Sequence, residues 1–109
     1  MERDQHIKAD DGKPMLELVP PKAIIALGKV MTYGAKKYEP MSWRSVGTDR
    51  YTGALMRHMM AYMNGEVYDR ESGMPHMWHV LTNAAFITDL EYDHLPPQEV
   101  RDAVDQQLK

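Results

Sequence analysis

This sequence predicts an all-α fold: a small helical bundle of three main helices, a short C-terminal helix and an N-terminal extended arm. Two observations lead there. Apolar residues recur with a helical period in three windows, and Pro20, Pro21, Pro40, Pro75, Pro96 and Pro97 all fall between those windows or at their outer edges. The chain carries no internal repeat and no low-complexity segment, so packed helices around one core are the simplest architecture.

Taken in order, residues 1–19 are polar, contain "DDGKP", and end in the alternation "MLELV", which suits an arm with a short extended segment. Pro20 and Pro21 end that arm. From Ala23 to Tyr38, the residues Ala23, Leu27, Val30, Met31 and Tyr38 share one arc while Lys29 and Lys36 lie opposite, the pattern of an amphipathic helix entered through Pro21. "YEPMSWRSVGTDR" reads as a loop, because Pro40 and Gly47 break a helix and no apolar period survives. A second helix is expected from about Tyr51 to Asn64, stopped by Gly65, and a third from near Pro75 to about Glu91, ended by "HLPP". A weakly amphipathic helix over Gln98 to Leu108 closes the chain. The organisation is thus an arm (1–19), a helical domain (20–92) and a C-terminal helix or tail (93–109).

A chain of 109 residues fits one small domain. Such a domain buries only roughly two thirds of the surface its unfolded chain exposes, so self-association is an economical source of stability and a homo-oligomer is expected. Without cysteine there is neither a disulfide framework nor a thiolate zinc site. "ERDQHIKADDGKP" after Met1 lacks the apolar core of a signal peptide, and no run approaches membrane-spanning length, so a soluble cytoplasmic protein with no membrane partner is expected. A net charge of -3 argues against a nucleic-acid polymer as partner, because binding along a phosphate backbone depends on clustered Lys and Arg. A single nucleotide needs only a few cations.

Three features point to chemistry. On the third helix His76, His79 and Asn83 fall within one arc of about 60°, and Phe86, Ile87 and Leu90 continue the same side, so the polar patch sits on a face that becomes core. The rest of that helix is apolar almost all round, which implies burial on several sides. Met56, Met59, Met60 and Met63 share an arc of the second helix and suit core or subunit-interface packing better than soft-metal ligation. His58 points elsewhere, between Ala54 and Ala61, whose small side chains admit either another helix or a ligand. The turn "GEVYDRESG" sets Glu66, Asp69 and Glu71 just ahead of the third helix. Carboxylates beside imidazoles suit Mg²⁺ or Mn²⁺, with the imidazoles favouring Mn²⁺.

The blocks "GKPMLELVPPKAI", "YGAKKYEPMSW", "RYTGALMRHMMAYMNGE" and "DRESGMPHMWHVLTNAAFI" together resemble the phage-associated dATP/dGTP diphosphohydrolase family, relatives of the MazG-like all-α nucleotide pyrophosphohydrolases. The resemblance covers roughly residues 12 to 92, and four blocks in order are far more specific than any one of them. It implies an oligomeric all-α protein that uses Mg²⁺ or Mn²⁺ to cleave a deoxynucleoside triphosphate to monophosphate and pyrophosphate. Carried over by motif, the site comprises Lys37, Tyr38, Trp43, Arg57, His58, Glu66, Asp69, His76, His79 and Asn83. Within it Glu66, Asp69 and His79 are the expected metal ligands, and His58, as general base, and Asn83 are the expected catalytic residues. Lys37, Tyr38, Trp43, Arg57 and His76 are expected to bind substrate, with Arg57 and Lys37 on the phosphates and Trp43 or Tyr38 stacked on the base.

The chain departs from the MazG-like metal pattern, "ExxE" on one helix and "ExxD" on the next, offering "RHMMA" and "HMWHVLTN" instead. That departure supports a second reading, a non-catalytic binder of nucleotides or nucleotide signals. A third is a helical protein-binding module, a phage inhibitor acting through the methionine face.

Overall fold

The computed structural model describes residues 12–108, and the chain divides into two compact units. The larger, Pro20–Asp93, contains three α-helices: α1 (Pro21–Lys37), α2 (Thr48–Met63) and α3 (His76–Glu91). Residues 94–109 group with the segment that ends at Val19; their described part holds α4 (Gln98–Gln107), and Leu16–Leu18 form one 3-10 turn. No helix among the described residues is long and apolar enough to cross a membrane.

The all-α class and the helix count follow the sequence, and the differences are local. "MLELV" does not stay extended: Leu18 and Val19 donate their amides to the carbonyls of Met15 and Leu16, both at 3.1 Å. An extended segment needs a partner strand for its backbone groups, and a turn satisfies them within itself. The rest of the expected arm, residues 1–11, lies outside the described residues. The "YEPMSWRSVGTDR" loop contains a 3-10 turn at Ser42–Ser45, preceded by Met41 in the left-handed region at φ 67°. Helix α2 starts at Thr48 because Gly47 is its N-cap instead of a break, with Asp49 in the first turn complementing the helix dipole.

Helix α1 starts at Pro21, where a missing N–H costs nothing, and ends with Tyr38 donating its amide to the Gly34 carbonyl at 2.7 Å. Lys36 and Lys37 occupy its last turn, where cations suit the carbonyl end. Helix α3 packs on both α1 and α2, which share no such interface with each other. That central place explains why α3 is apolar on nearly every side. Ala26 and Val30 of α1 and Val80 of α3 are the buried apolar residues among those described, and His76, Thr82 and Asn83 of α3 are buried beside them.

The methionine arc of α2 is not core. Met56, Met60 and Met63 are 58%, 63% and 71% exposed, and α2 buries no residue completely. The opposite face, carrying Tyr51 and His58, is the one that meets α3, through Phe86 and the two histidines His76 and His79.

Candidate functional site

Residues 64–75 link α2 to α3, and their backbone is tied at both ends. Gly65 takes φ 92°, which stops α2, and the Glu66 amide caps the helix on the Ala61 carbonyl at 3.0 Å. The His76 amide then donates to the Val67 carbonyl at 2.8 Å, and the Asp69 amide to the Met74 carbonyl at 2.8 Å, around a bridge between Tyr68 and Pro75. Gly73, at φ 77°, closes the return by donating to the Asp69 carbonyl. The loop is therefore a short closed hairpin that brings two carboxylates against the first turns of α3.

Asp69 Oδ2 accepts from both the amide and the hydroxyl of Ser72, each at 2.8 Å. Ser72 Oγ also lies 2.7 Å from His79 Nε2 and accepts from the Met74 amide at 3.2 Å. The hydroxyl has one proton, and the carboxylate takes it. His79 must therefore donate from Nε2, which leaves its lone pair on Nδ1. The same accounting applies further in. Glu66 Oε2 lies 3.2 Å from His76 Nε2, so His76 donates there and its Nδ1 is an acceptor. His58 Nδ1, 2.8 Å from His76 Nδ1, supplies the proton of that contact, and the lone pair of a neutral His58 rests on Nε2.

The rings of His58 and His79 are stacked, 4.5 Å between centroids and 11° from parallel. Burial lowers the pKa of His58, with the His79 ring adding to the effect, and burial also lowers that of His79 against the opposing pull of Asp69. Both imidazoles are thus held neutral near pH 7. For Asp69, desolvation acts upward, but the two bonds from Ser72 and the neighbouring imidazoles outweigh it and the pKa falls.

In front of this cluster lies a cavity of about 830 Å³, a volume within the usual range for small-molecule sites, lined by residues of all three helices. Lys37, Tyr38, Arg57, His58, Asp69 and His79 are on its wall. Lys37 Nζ pairs with the Glu71 carboxylate, whose hydrogen bond, with that of Tyr38, pushes the lysine pKa up. Arg57 is exposed beside His58. Tyr38 is 63% exposed, whereas Trp43 is stacked on Phe86 at 4.8 Å and carries the Arg44 guanidinium 4.6 Å from its centroid. The Trp43 ring is thus committed to the protein, and its Nε1 is buried without a hydrogen-bond partner.

Three of the residues expected in the site have partners within the protein. His76, expected on substrate, is only 5% exposed and does not line the cavity; its polar ends are occupied by Glu66 and His58. Glu66, expected on a metal, is turned to His76 and, at 3.4 Å, to Arg70. Asn83 lines the cavity but spends its amide on the His79 carbonyl one turn back, at 2.7 Å. Sequence reasoning missed Ser72, though an Asp followed three residues later by Ser is a recognisable turn signal, and it missed Arg50, a further cation on the cavity wall.

A family model described as dATP/dGTP diphosphohydrolase, N-terminal, matches residues 3–99. A dATP/dGTP diphosphohydrolase of Salmonella phage PMBT28 is 30% identical over 81 residues, which are 74% of this chain and 28% of that protein. The chain therefore spans little more than a quarter of the relative. No solved structure matches the chain.

Proposed function

The chain belongs to the dATP/dGTP diphosphohydrolase N-terminal family, and we propose that it hydrolyses a purine deoxynucleoside triphosphate to the monophosphate and pyrophosphate. The observation that carries this reading is one cavity lined both by the cations Lys37, Arg50 and Arg57 and by the imidazoles His58 and His79 and the carboxylate Asp69. A triphosphate needs the first group, and an activated water needs the second.

Arg57 offers a planar fork to two phosphate oxygens at once, and Arg50 and Lys37 add charge to the same cavity. Glu71 competes for Lys37, so an arriving phosphate exchanges one anionic partner of the lysine for another. With the Trp43 ring engaged by Phe86 and Arg44, the exposed Tyr38 is the aromatic that meets the base. Water attacks the α-phosphorus; the bond from that phosphorus to the bridging oxygen breaks, and pyrophosphate leaves with its charge spread toward the cations. The proton of the water goes to an imidazole of the stacked pair, at His58 Nε2 or His79 Nδ1, the two nitrogens that the hydrogen bonds leave with lone pairs.

The divalent cation implied by the family resemblance, Mg²⁺ or Mn²⁺, would neutralise triphosphate oxygens and acidify a bound water. The donors present here, imidazole nitrogens with few carboxylate oxygens, fit Mn²⁺ better than Mg²⁺. The reading is tested by incubating the chain with each dNTP and a divalent cation and resolving the products. Equal amounts of dAMP or dGMP and pyrophosphate are expected. Nucleotide binding with no turnover would instead favour the non-catalytic binder.

A further inference from the structure

We propose that His58, His76 and Asp69 bind a first-row transition-metal cation of the cobalt, nickel or zinc kind, through imidazole nitrogen, in preference to Mg²⁺. A ring nitrogen of each histidine and a carboxylate oxygen of Asp69 lie within 4.8 Å of one another. Donors about 2.1 Å from one ion span at most about 4.2 Å, so a small inward movement of these side chains closes the site. The inference names the cation for the site used above, yet it stands on donor geometry and is tested without nucleotide.

Glu66 fixes His76 with its proton on Nε2, so the lone pair sits on Nδ1, on the side of His58. A carboxylate behind an imidazole is the usual second partner of a metal-ligating histidine, and it raises the basicity of the nitrogen that faces the ion. The two Nδ1 atoms, 2.8 Å apart, cannot both present lone pairs without a proton between them. A cation entering there displaces that proton, which passes to His58 Nε2, so the ring stays neutral and presents its Nδ1 lone pair to the ion. On Asp69 the bonds from Ser72 both fall on Oδ2, and Oδ1 carries neither of them.

This donor set disfavours Mg²⁺, which takes oxygen ligands in near-octahedral geometry, and suits ions that accept nitrogen. It also redistributes the roles expected from sequence. Glu66 orients a ligand instead of being one. His79, whose Nε2 is committed to Ser72, stays out of the metal site and is left as the imidazole that takes the proton of water, at Nδ1.

Titrating chelator-treated protein with Co²⁺ tests the site by visible d–d absorption and metal analysis. One Co²⁺ per chain is expected, with a band that saturates and that a large excess of Mg²⁺ does not displace. His58→Ala and Asp69→Asn should abolish the saturable band, and Glu66→Gln should weaken Co²⁺ binding by about 10–100-fold. Lys36→Ala should leave it unchanged. Because His76 is buried and its loss disturbs packing, the half-buried His58 is the deciding position, with helicity checked by circular dichroism. An absent band, a band that persists in His58→Ala, or equal competition by Mg²⁺ overturns the proposal. Hydrolysis supported by Mg²⁺ with no Co²⁺ band overturns it alone, whereas Co²⁺ binding without hydrolysis overturns the diphosphohydrolase reading alone.

Discussion

Glu66 Oε2 lies 3.2 Å from Nε2 of His76, so a half-exposed carboxylate satisfies an imidazole that is itself 5% exposed. Removing one partner of such a contact leaves the buried one without a hydrogen bond, at a cost of about 1–3 kcal/mol. Glu66→Ala is therefore expected to destabilise the fold by about 1 kcal/mol, the low end, since water reaches the space the carboxylate vacates. Glu66→Gln keeps an acceptor and should cost less. Urea unfolding of the two variants checks this, and equal stabilities for Ala and Gln would dismiss the contact as a stabilising one.

Stability should fall on mild acidification in the presence of a chelator. The folded pKa values of His58 and His79 lie below the ordinary 6.5 because burial disfavours the charged rings. Below 6.5 the unfolded chain takes up protons that the folded histidines refuse. Their contribution is thus complete above 6.5 and is lost as pH falls through the lower folded values. Asp69 acts in a separate window, below its ordinary 3.8. Tm measured from about pH 7.5 down to about pH 5.5 should decline in the parent chain and decline less in His58→Gln. A flat profile contradicts the burial argument.

The helices were legible because their signals are local: Pro21 and Pro75 mark entries, Gly65 marks an exit, and the helical period runs between them. The arc of His76, His79 and Asn83 was also legible, since 100° per residue fixes which side chains share a face. What that arc faces was not. Whether Met56, Met60 and Met63 or Tyr51 and His58 meet α3 depends on how α2 is rotated, and both of its faces carry apolar atoms. The position of Glu66 relative to His76 depends on the hairpin backbone, closed by Gly73 and the Val67 carbonyl, and composition carries no trace of it. The Trp43 stack was hidden for a related reason: a 3-10 turn without apolar periodicity delivers it to Phe86.

Phe86 touches both Trp43 and Tyr51, with ring centroids at 4.8 Å in each case, and so joins the 3-10 turn and α2 to α3. Phe→Ala in a full core costs about 3–5 kcal/mol, and Phe86 is half-buried, so about 2 kcal/mol is expected. The Trp43 emission should move to longer wavelength as its ring loses its partner. Unchanged emission would mean that the 3-10 turn holds the indole without Phe86.

The exposed methionine face of α2, Met56, Met60 and Met63, is expected to make the chain self-associate, as soluble monomers rarely leave a contiguous apolar patch uncovered. A symmetric pair of copies is the simplest arrangement. Light scattering at micromolar concentration should report a dimer or larger, and Met60→Glu should shift it toward the monomer with helicity retained. A monomeric parent chain rules the idea out.

Arg57 separates phosphate recognition from folding. It is exposed on α2, next to His58 in sequence, on the wall of the cavity, with its Nη1 3.2 Å from where a β-carbon on Gly53 would stand. An exposed substitution that keeps the charge rarely changes stability by more than about 0.5 kcal/mol, so Arg57→Lys should unfold like the parent. The lysine nevertheless replaces a planar fork by a point charge and forfeits bidentate contact with two phosphate oxygens. Triphosphate affinity should therefore fall clearly, while binding of the deoxynucleoside, which lacks phosphate, stays close to the parent value. Isothermal titration with dGTP and with deoxyguanosine reads the two effects apart. If both ligands weaken alike, Arg57 shapes the cavity without gripping phosphate, and the triphosphate must be sought nearer Arg50 or Lys37, the other cations named on the cavity wall.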